Sequence, residues 1–319
     1  VFLDDERVMR QIGPDRIYAK SDYAKPANPG TGVADMVDDS FFFDAADQTL
    51  YLKTSGDPAW YCIEAGVRGW TLTAGKVHDV VIRGFEARHN RQPGGQWPMA
   101  SIGDCERVLV EGCRFTHADF CGLGLGRSKR YTVRNCDLSY NGNTGFGMGH
   151  CEECVIEECT LVFNNTRRFR SGWHAGGMKC IPGNKRCTVR RCEAAHNIVS
   201  DGIWFDAENE EIAILENVSH HNGGCGIFFE IYAWKTPEQR GGVIAGNLCY
   251  GNRGRGIYVS GSRRLWVVHN TVAGNNCGIV CMPREDPFKL EEVEVRNNLL
   301  LGNYVTQETI TRGCDLTLF

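Results

Sequence analysis

Residues 201–231 read DGIWFDAENEEIAILENVSHHNGGCGIFFEI. The phrase GIWFD (202–206) returns as GIFFE (226–230), twenty-four residues on, and each copy ends in a carboxylate. A chain that rewrites one short strand at such an interval is stacking equal units, because a period of 20–50 residues is the mark of solenoids and propellers.

The same phase extends well beyond this stretch. With asparagine as the mark, it runs through Asn90, Asn141, Asn164, Asn197, Asn222, Asn252, Asn275 and Asn303, with Ala118 in the slot of one unit. Eight residues before the marks stand Ile82, Val110, Val133, Ile156, Val189, Ile214, Ile244, Val267 and Val295, a β-branched aliphatic every time. Five residues before them come Phe85, Cys113, Cys136, Cys159 and Cys192, then Asn217, Asn247, Asn270 and Asn298. Glycine-led strands such as CGLGLG (121–126), TGFGMG (144–149) and RGIYVS (255–260) follow most marks. The units hold short alternating strands and no apolar stripe of helical length. Alone they cannot bury their apolar faces, but stacked they share one core. These features predict an all-β right-handed parallel β-helix, with equivalent side chains stacked at about 4.8 Å. Residues 1–65 fall outside the phase. There SFFFDAADQTLYLKTSGDP (40–58) reads as strand, turn and strand. The expected organisation is a β-rich element, a partial β-sandwich, over 1–65 and the β-helix over 66–319, with coiling from near Gly69.

Composition narrows the function. A net charge of −4 and a pI near 6.2 give no basic footprint, so nucleic acid is not an expected partner. No run reaches the roughly 18 apolar residues of a membrane span. Val1 in place of methionine reads as a processed or incomplete start. The expected location is therefore secreted or periplasmic, with a cytoplasmic one as the alternative.

On a strand, alternate residues face opposite ways. Ile203, Phe205, Ile227 and Phe229 match the inward slots, which sends Trp204, Asp206, Phe228 and Glu230 outward. One coil separates the copies, so Asp206 and Glu230 are expected as vertical neighbours with carboxyls about 5 to 6 Å apart. Retaining glycosidases hold their two carboxyls at about 5–5.5 Å and inverting ones at roughly 6.5–9.5 Å. Trp204 and Phe228 offer faces on which a sugar could stack, and Gly124, Gly126, Gly147 and Gly149 leave earlier outward slots empty. Lys179, beside Trp204, favours the charged form of Asp206, as a nucleophile requires. Glu230 lies between Phe228 and Tyr232 with uncharged Ser260 on the next coil, a setting that favours the protonated form of an acid catalyst. Two excursions, 164–177 and 230–242, read as pocket walls carrying Trp173, His174, Trp234 and Arg240.

These residues resemble a known family. The SFFFDAADQTLYLK stretch followed by coils bearing GIWFD and GIFFEI is similar to the parallel β-helix glycoside hydrolases, and most closely to the β-xylosidases of glycoside hydrolase family 120. The resemblance implies that Asp206 is the nucleophile and Glu230 the acid/base. It also implies an oligosaccharide or polysaccharide substrate; separately, no metal or cofactor is expected.

Other readings stay open. A polysaccharide lyase could use Lys179 as base, with Asp206, Glu208 and Glu230 holding a cation, although no arginine occupies an outer slot next to Lys179. A non-catalytic solenoid could bind glycans, and a homo-oligomer is compatible with the sequence. Cys151 and Cys154 have half a zinc-ribbon spacing, but the sixteen cysteines fall mostly in repeating inward slots, where they read as core. His196, His220 and His221 flank the marks and read as turn residues.

Overall fold

The computed structural model describes residues 1–4, 7–13, 30–91, 96–170, 172–232, 241–310 and 316–318. The chain winds into a right-handed parallel β-helix, the hand that parallel strand crossovers take. One column of ten parallel strands runs from Leu72–Gly75 to Val305–Ile310. A second column of ten runs from His78–Arg83 to Leu316–Leu318, and a third of six from Thr160–Val162 to Leu299–Leu301.

The strand register copies the sequence repeat. Ile82 pairs with Val110, and the row continues through Val133, Ile156, Val189, Ile214, Ile244 and Val267 to Val295. All are buried except Ile82, which is half-buried at the N-terminal end of the row. Cys113, Cys136, Cys159 and Cys192 are also buried, as free thiols, and act as small core residues.

The asparagine marks form a hydrogen-bonded column. Each Nδ2 donates to the next Oδ1, from Asn141 to Asn164 (3.1 Å), Asn197 (3.1 Å), Asn222 (2.8 Å), Asn252 (2.9 Å), Asn275 (2.8 Å) and Asn303 (3.0 Å). A second column joins Asn217, Asn247, Asn270 and Asn298. The residue before each mark is left-handed. His89, His117, Tyr140, Phe163, His196 and His221 take φ of 51° to 60°, and Gly251, Gly274 and Gly302 complete the series where glycine adopts that region freely.

Ahead of the coils, Ser40–Asp44 and Thr49–Lys53 pair antiparallel, as the strand–turn–strand pattern predicts. Asp44 and Asp47 accept the amides of Ala46 and Thr49 in the turn, each at 2.9 Å. Phe2, in a small sheet with Arg7–Val8 and Ile63–Glu64, stacks on His89 at 3.9 Å and seats this segment on the first coil. Among the described residues, no helix is long and apolar enough to cross a membrane.

Candidate active site on the outer wall

The strand Asp201–Asp206 lies between Gly176–Cys180 and Ile227–Glu230 in the first column. Ile203, Phe205, Ile227 and Phe229 point into the core and are fully buried. The outward residues form two rows. Lys179, Trp204, Phe228 and Tyr258 are successive register partners, as are Asp206, Glu230 and Ser260. Asp206 and Glu230 are therefore one strand spacing apart along the backbone, about 4.8 Å.

The first row differs from the sequence expectation. Trp204 points outward yet is only 3% exposed. Lys179 Nζ stands 3.3 Å from the centre of its ring, and the ring stacks on Phe228 at 5.2 Å. Phe228 stacks in turn on Tyr258 at 4.7 Å. The faces expected to receive a sugar are thus taken by neighbours in the row. The glycine slots differ too: Pro98 covers Gly124 and Ile181 covers Gly149, while the space over Gly126 is open.

The second row carries the carboxylates, and each has its own cation. Asp206 Oδ2 is 2.9 Å from Lys179 Nζ. Burial lowers the Lys179 pKa below its ordinary value, and Asp206 opposes that shift. Glu230 receives Trp204 Nε1–H on Oε2 at 3.1 Å and the Arg284 guanidinium on Oε1. Arg284 belongs to the segment 283–290 between two coils, outside the repeating slots, and sequence phase did not assign it here. It charges a setting that the sequence reading took as apolar. Glu208, two residues beyond Asp206 with φ +49°, turns one buried carboxylate oxygen toward no hydrogen-bond partner.

The excursion 164–177 folds over this wall. The Trp173 carbonyl accepts from Lys179 Nζ at 2.5 Å, and the Trp173 ring packs against Phe120 and His174. His174, expected as a substrate contact, is buried. Its Nδ1 lies 2.9 Å from Asn143 Oδ1 and 3.3 Å from Thr144 Oγ1. Burial, then the charge of Lys179, pushes its pKa down to about 3. Tyr232 is also misassigned by alternation. After Glu230 the backbone turns at Ile231 (φ +49°), and the Tyr232 ring enters the core, its hydroxyl accepting the Ile212 amide at 3.1 Å. Trp234 and Arg240 lie outside the described residues. Asp201, just before the repeated phrase, carries no signal in the repeat that marks it as functional. It is buried behind the row, accepts the Cys225 amide at 2.5 Å, and burial raises its pKa to about 6.

A family profile described as "Right handed beta helix region" matches residues 100–239. No curated protein matches the sequence. Among solved structures, the chain is similar to the Dettilon tailspike protein gp208, at 13% identity and TM-score 0.54 over 78% of this chain and 54% of that one. It is similar to the periplasmic alginate epimerase AlgG, at 14% identity and TM-score 0.59 over 82% of this chain and 64% of that one. It is also similar to XylC, solved in complex with xylose, at 12% identity and TM-score 0.60 over 82% of this chain and 49% of that one. At such identities the likeness is one of fold, and the chain spans between about half and two thirds of each of these proteins.

Proposed function

We propose that the chain is a retaining, exo-acting glycoside hydrolase for neutral plant-type oligosaccharides, with xylosides as the first substrates to test. The observation that carries this reading is the direct register pairing of Asp206 with Glu230. A strand spacing of about 4.8 Å suits the 5–5.5 Å carboxyl separation of retaining enzymes better than the wider inverting one. Asp206, ion-paired with Lys179, attacks the anomeric carbon. As that bond forms, the bond to the leaving oxygen breaks and Glu230 delivers its proton there. Glu230, now a carboxylate, then takes a proton from water, and the hydroxide portion cleaves the ester to Asp206. For the first step Glu230 must carry a proton, so Arg284 has to release it. Arg284 is 43% exposed, so water can solvate the guanidinium when it leaves. An exported location suits such a substrate.

A second reading is favoured by one observation. Arg284 at Glu230 supplies a guanidinium that sequence phase had not placed near the pair, and it could hold a uronate carboxylate for a lyase or an epimerase. A panel of nitrophenyl glycosides, with Asp206→Asn and Glu230→Gln, separates the two. Under the hydrolase reading Asp206→Asn abolishes turnover, and azide partly rescues Glu230→Gln with an activated leaving group. Unsaturated products absorbing in the ultraviolet from a uronate polymer would refute hydrolysis.

A further inference from the structure

Away from the carboxylate pair, three imidazoles meet at the turn that carries the asparagine marks. His196 and His221 occupy the same left-handed slot on consecutive coils, with φ of 55° and 51°, and their rings stack at 5.1 Å. His220 ends the strand Val218–His220 in the third column and stands nearly perpendicular to both, at 84° and 88°. One ring nitrogen from each residue lies within 4.8 Å of the other two. The Nδ1 atoms of His220 and His221 are 2.8 Å apart.

The protonation of His220 follows from its other neighbour. Its Nε2 is 3.1 Å from Glu193 Oε1, and an ionised carboxylate only accepts. Nε2 is therefore the donor toward Glu193, and in that tautomer Nδ1 is the lone-pair nitrogen, turned toward His221. This carboxylate–histidine pairing is the arrangement that orients imidazole ligands in metal sites. The backbone beneath is fixed. His196 donates its amide to the His220 carbonyl and His221 to that of Tyr250, both at 3.1 Å, and buried Asn197 and Asn222 follow directly in the column.

We propose that His196, His220 and His221 bind one divalent transition-metal ion of the zinc type. Zinc–nitrogen bonds of about 2.0–2.1 Å place tetrahedral ligand nitrogens about 3.4 Å apart. The His220–His221 pair opens from 2.8 Å, and the remaining distances, all within 4.8 Å, adjust to that value by small rotations of His196 and His221, whose rings are exposed. Three nitrogen donors suit zinc, copper or nickel and are poor for calcium or magnesium, which take oxygen. Three protein ligands also leave a fourth position for water or an outside ligand. Ring stacking continues the aromatic ladder Tyr140–Phe163–His196 and accounts for the spacing of the rings. It does not require their nitrogens to converge, nor Glu193 to hold the tautomer of His220.

The test uses the chain without a polyhistidine tag, stripped with chelator and titrated with Zn²⁺ by calorimetry and with Co²⁺ by visible absorption. The expected result is a single ion per chain. Uptake is lost in His196→Asn and His221→Asn, which asparagine tolerates at positive φ, and affinity falls about 10–100-fold in Glu193→Gln. Far-UV circular dichroism and melting confirm that each variant is folded. No uptake by the folded native chain, or uptake unchanged in His221→Asn, overturns the proposal.

Discussion

Lys179 and Asp206 stand on neighbouring coils with Nζ and Oδ2 2.9 Å apart, and the lysine side chain is only 3% exposed. A cation so buried is held by few groups, and here they are the Asp206 carboxylate, the Trp173 carbonyl and the face of Trp204. The lysine thus ties the proposed nucleophile, the roofing excursion and the aromatic row together.

Lys179→Met keeps an unbranched side chain one atom shorter and removes its charge. Asp206 loses its counter-ion and the Trp173 carbonyl its donor. Breaking a buried pair from one side destabilises by about 3–5 kcal/mol. Because Asp206 is 28% exposed and can rehydrate, the low end, about 3 kcal/mol, is expected in urea unfolding. Turnover should fall through kcat more than KM. Adding Asp206→Asn should restore part of the stability but none of the activity. A double variant no more stable than Lys179→Met would show that the ion pair is not what holds this wall.

Arg284→Ala distinguishes what the guanidinium is for. If Glu230 must be released to act as an acid, the variant hydrolyses a neutral aryl glycoside within about tenfold of the native chain, since it loses no transition-state contact. A loss of three orders of magnitude would instead place Arg284 on the substrate, as uronate chemistry requires.

The coil architecture was legible because stacking converts a sequence period into a spatial contact. Ile82 to Val295 and the asparagine marks fall in rows for that reason, and so do Asp206 and Glu230. Alternation tells which way a side chain points, but not what folds over it. Trp204 points outward and is still covered, because its row and the 164–177 excursion close around it. Tyr232 escaped alternation because the strand ends at Glu230 and the left-handed Ile231 resets the phase. Arg284 sits in a stretch with no repeating slot, and composition alone does not aim it at Glu230.

The asparagine column predicts a graded loss. Asn222 accepts from Asn197 Nδ2 at 2.8 Å and donates to Ala194 O and Asn252 Oδ1, each at 2.9 Å, all of it buried. Asn222→Ala orphans several of these groups, at about 1–3 kcal/mol each, so a loss above about 3 kcal/mol is expected. Asn303 accepts from Asn275 in the same way but is half-buried. Water replaces its partners, and Asn303→Ala should lose about 1 kcal/mol. Equal losses in denaturant titrations would mean that burial of the column is not the source of its strength.

Two buried groups behind the site should titrate against each other. Burial raises Asp201 from 3.8 to about 6, so the folded state binds that proton more tightly than the unfolded chain. Its contribution is fully present below 3.8 and is lost as pH rises through about 6. His174 is lowered from 6.5 to about 3, so the folded state binds that proton less tightly. Its contribution is full above 6.5 and is lost as pH falls toward about 3. Each slope is about 1.4 kcal/mol per pH unit inside its window, with opposite signs, so between about pH 4 and 6 the two nearly cancel. Asp201→Asn can keep the bond from the Cys225 amide and removes one slope, so the variant should lose stability steeply in acid. His174→Gln should instead gain stability as pH falls, and the double variant should be flat again. Urea unfolding of all four chains at about pH 4.5, 5.5 and 6.5 measures this, and parallel curves for the two single variants would rule out the opposed titrations.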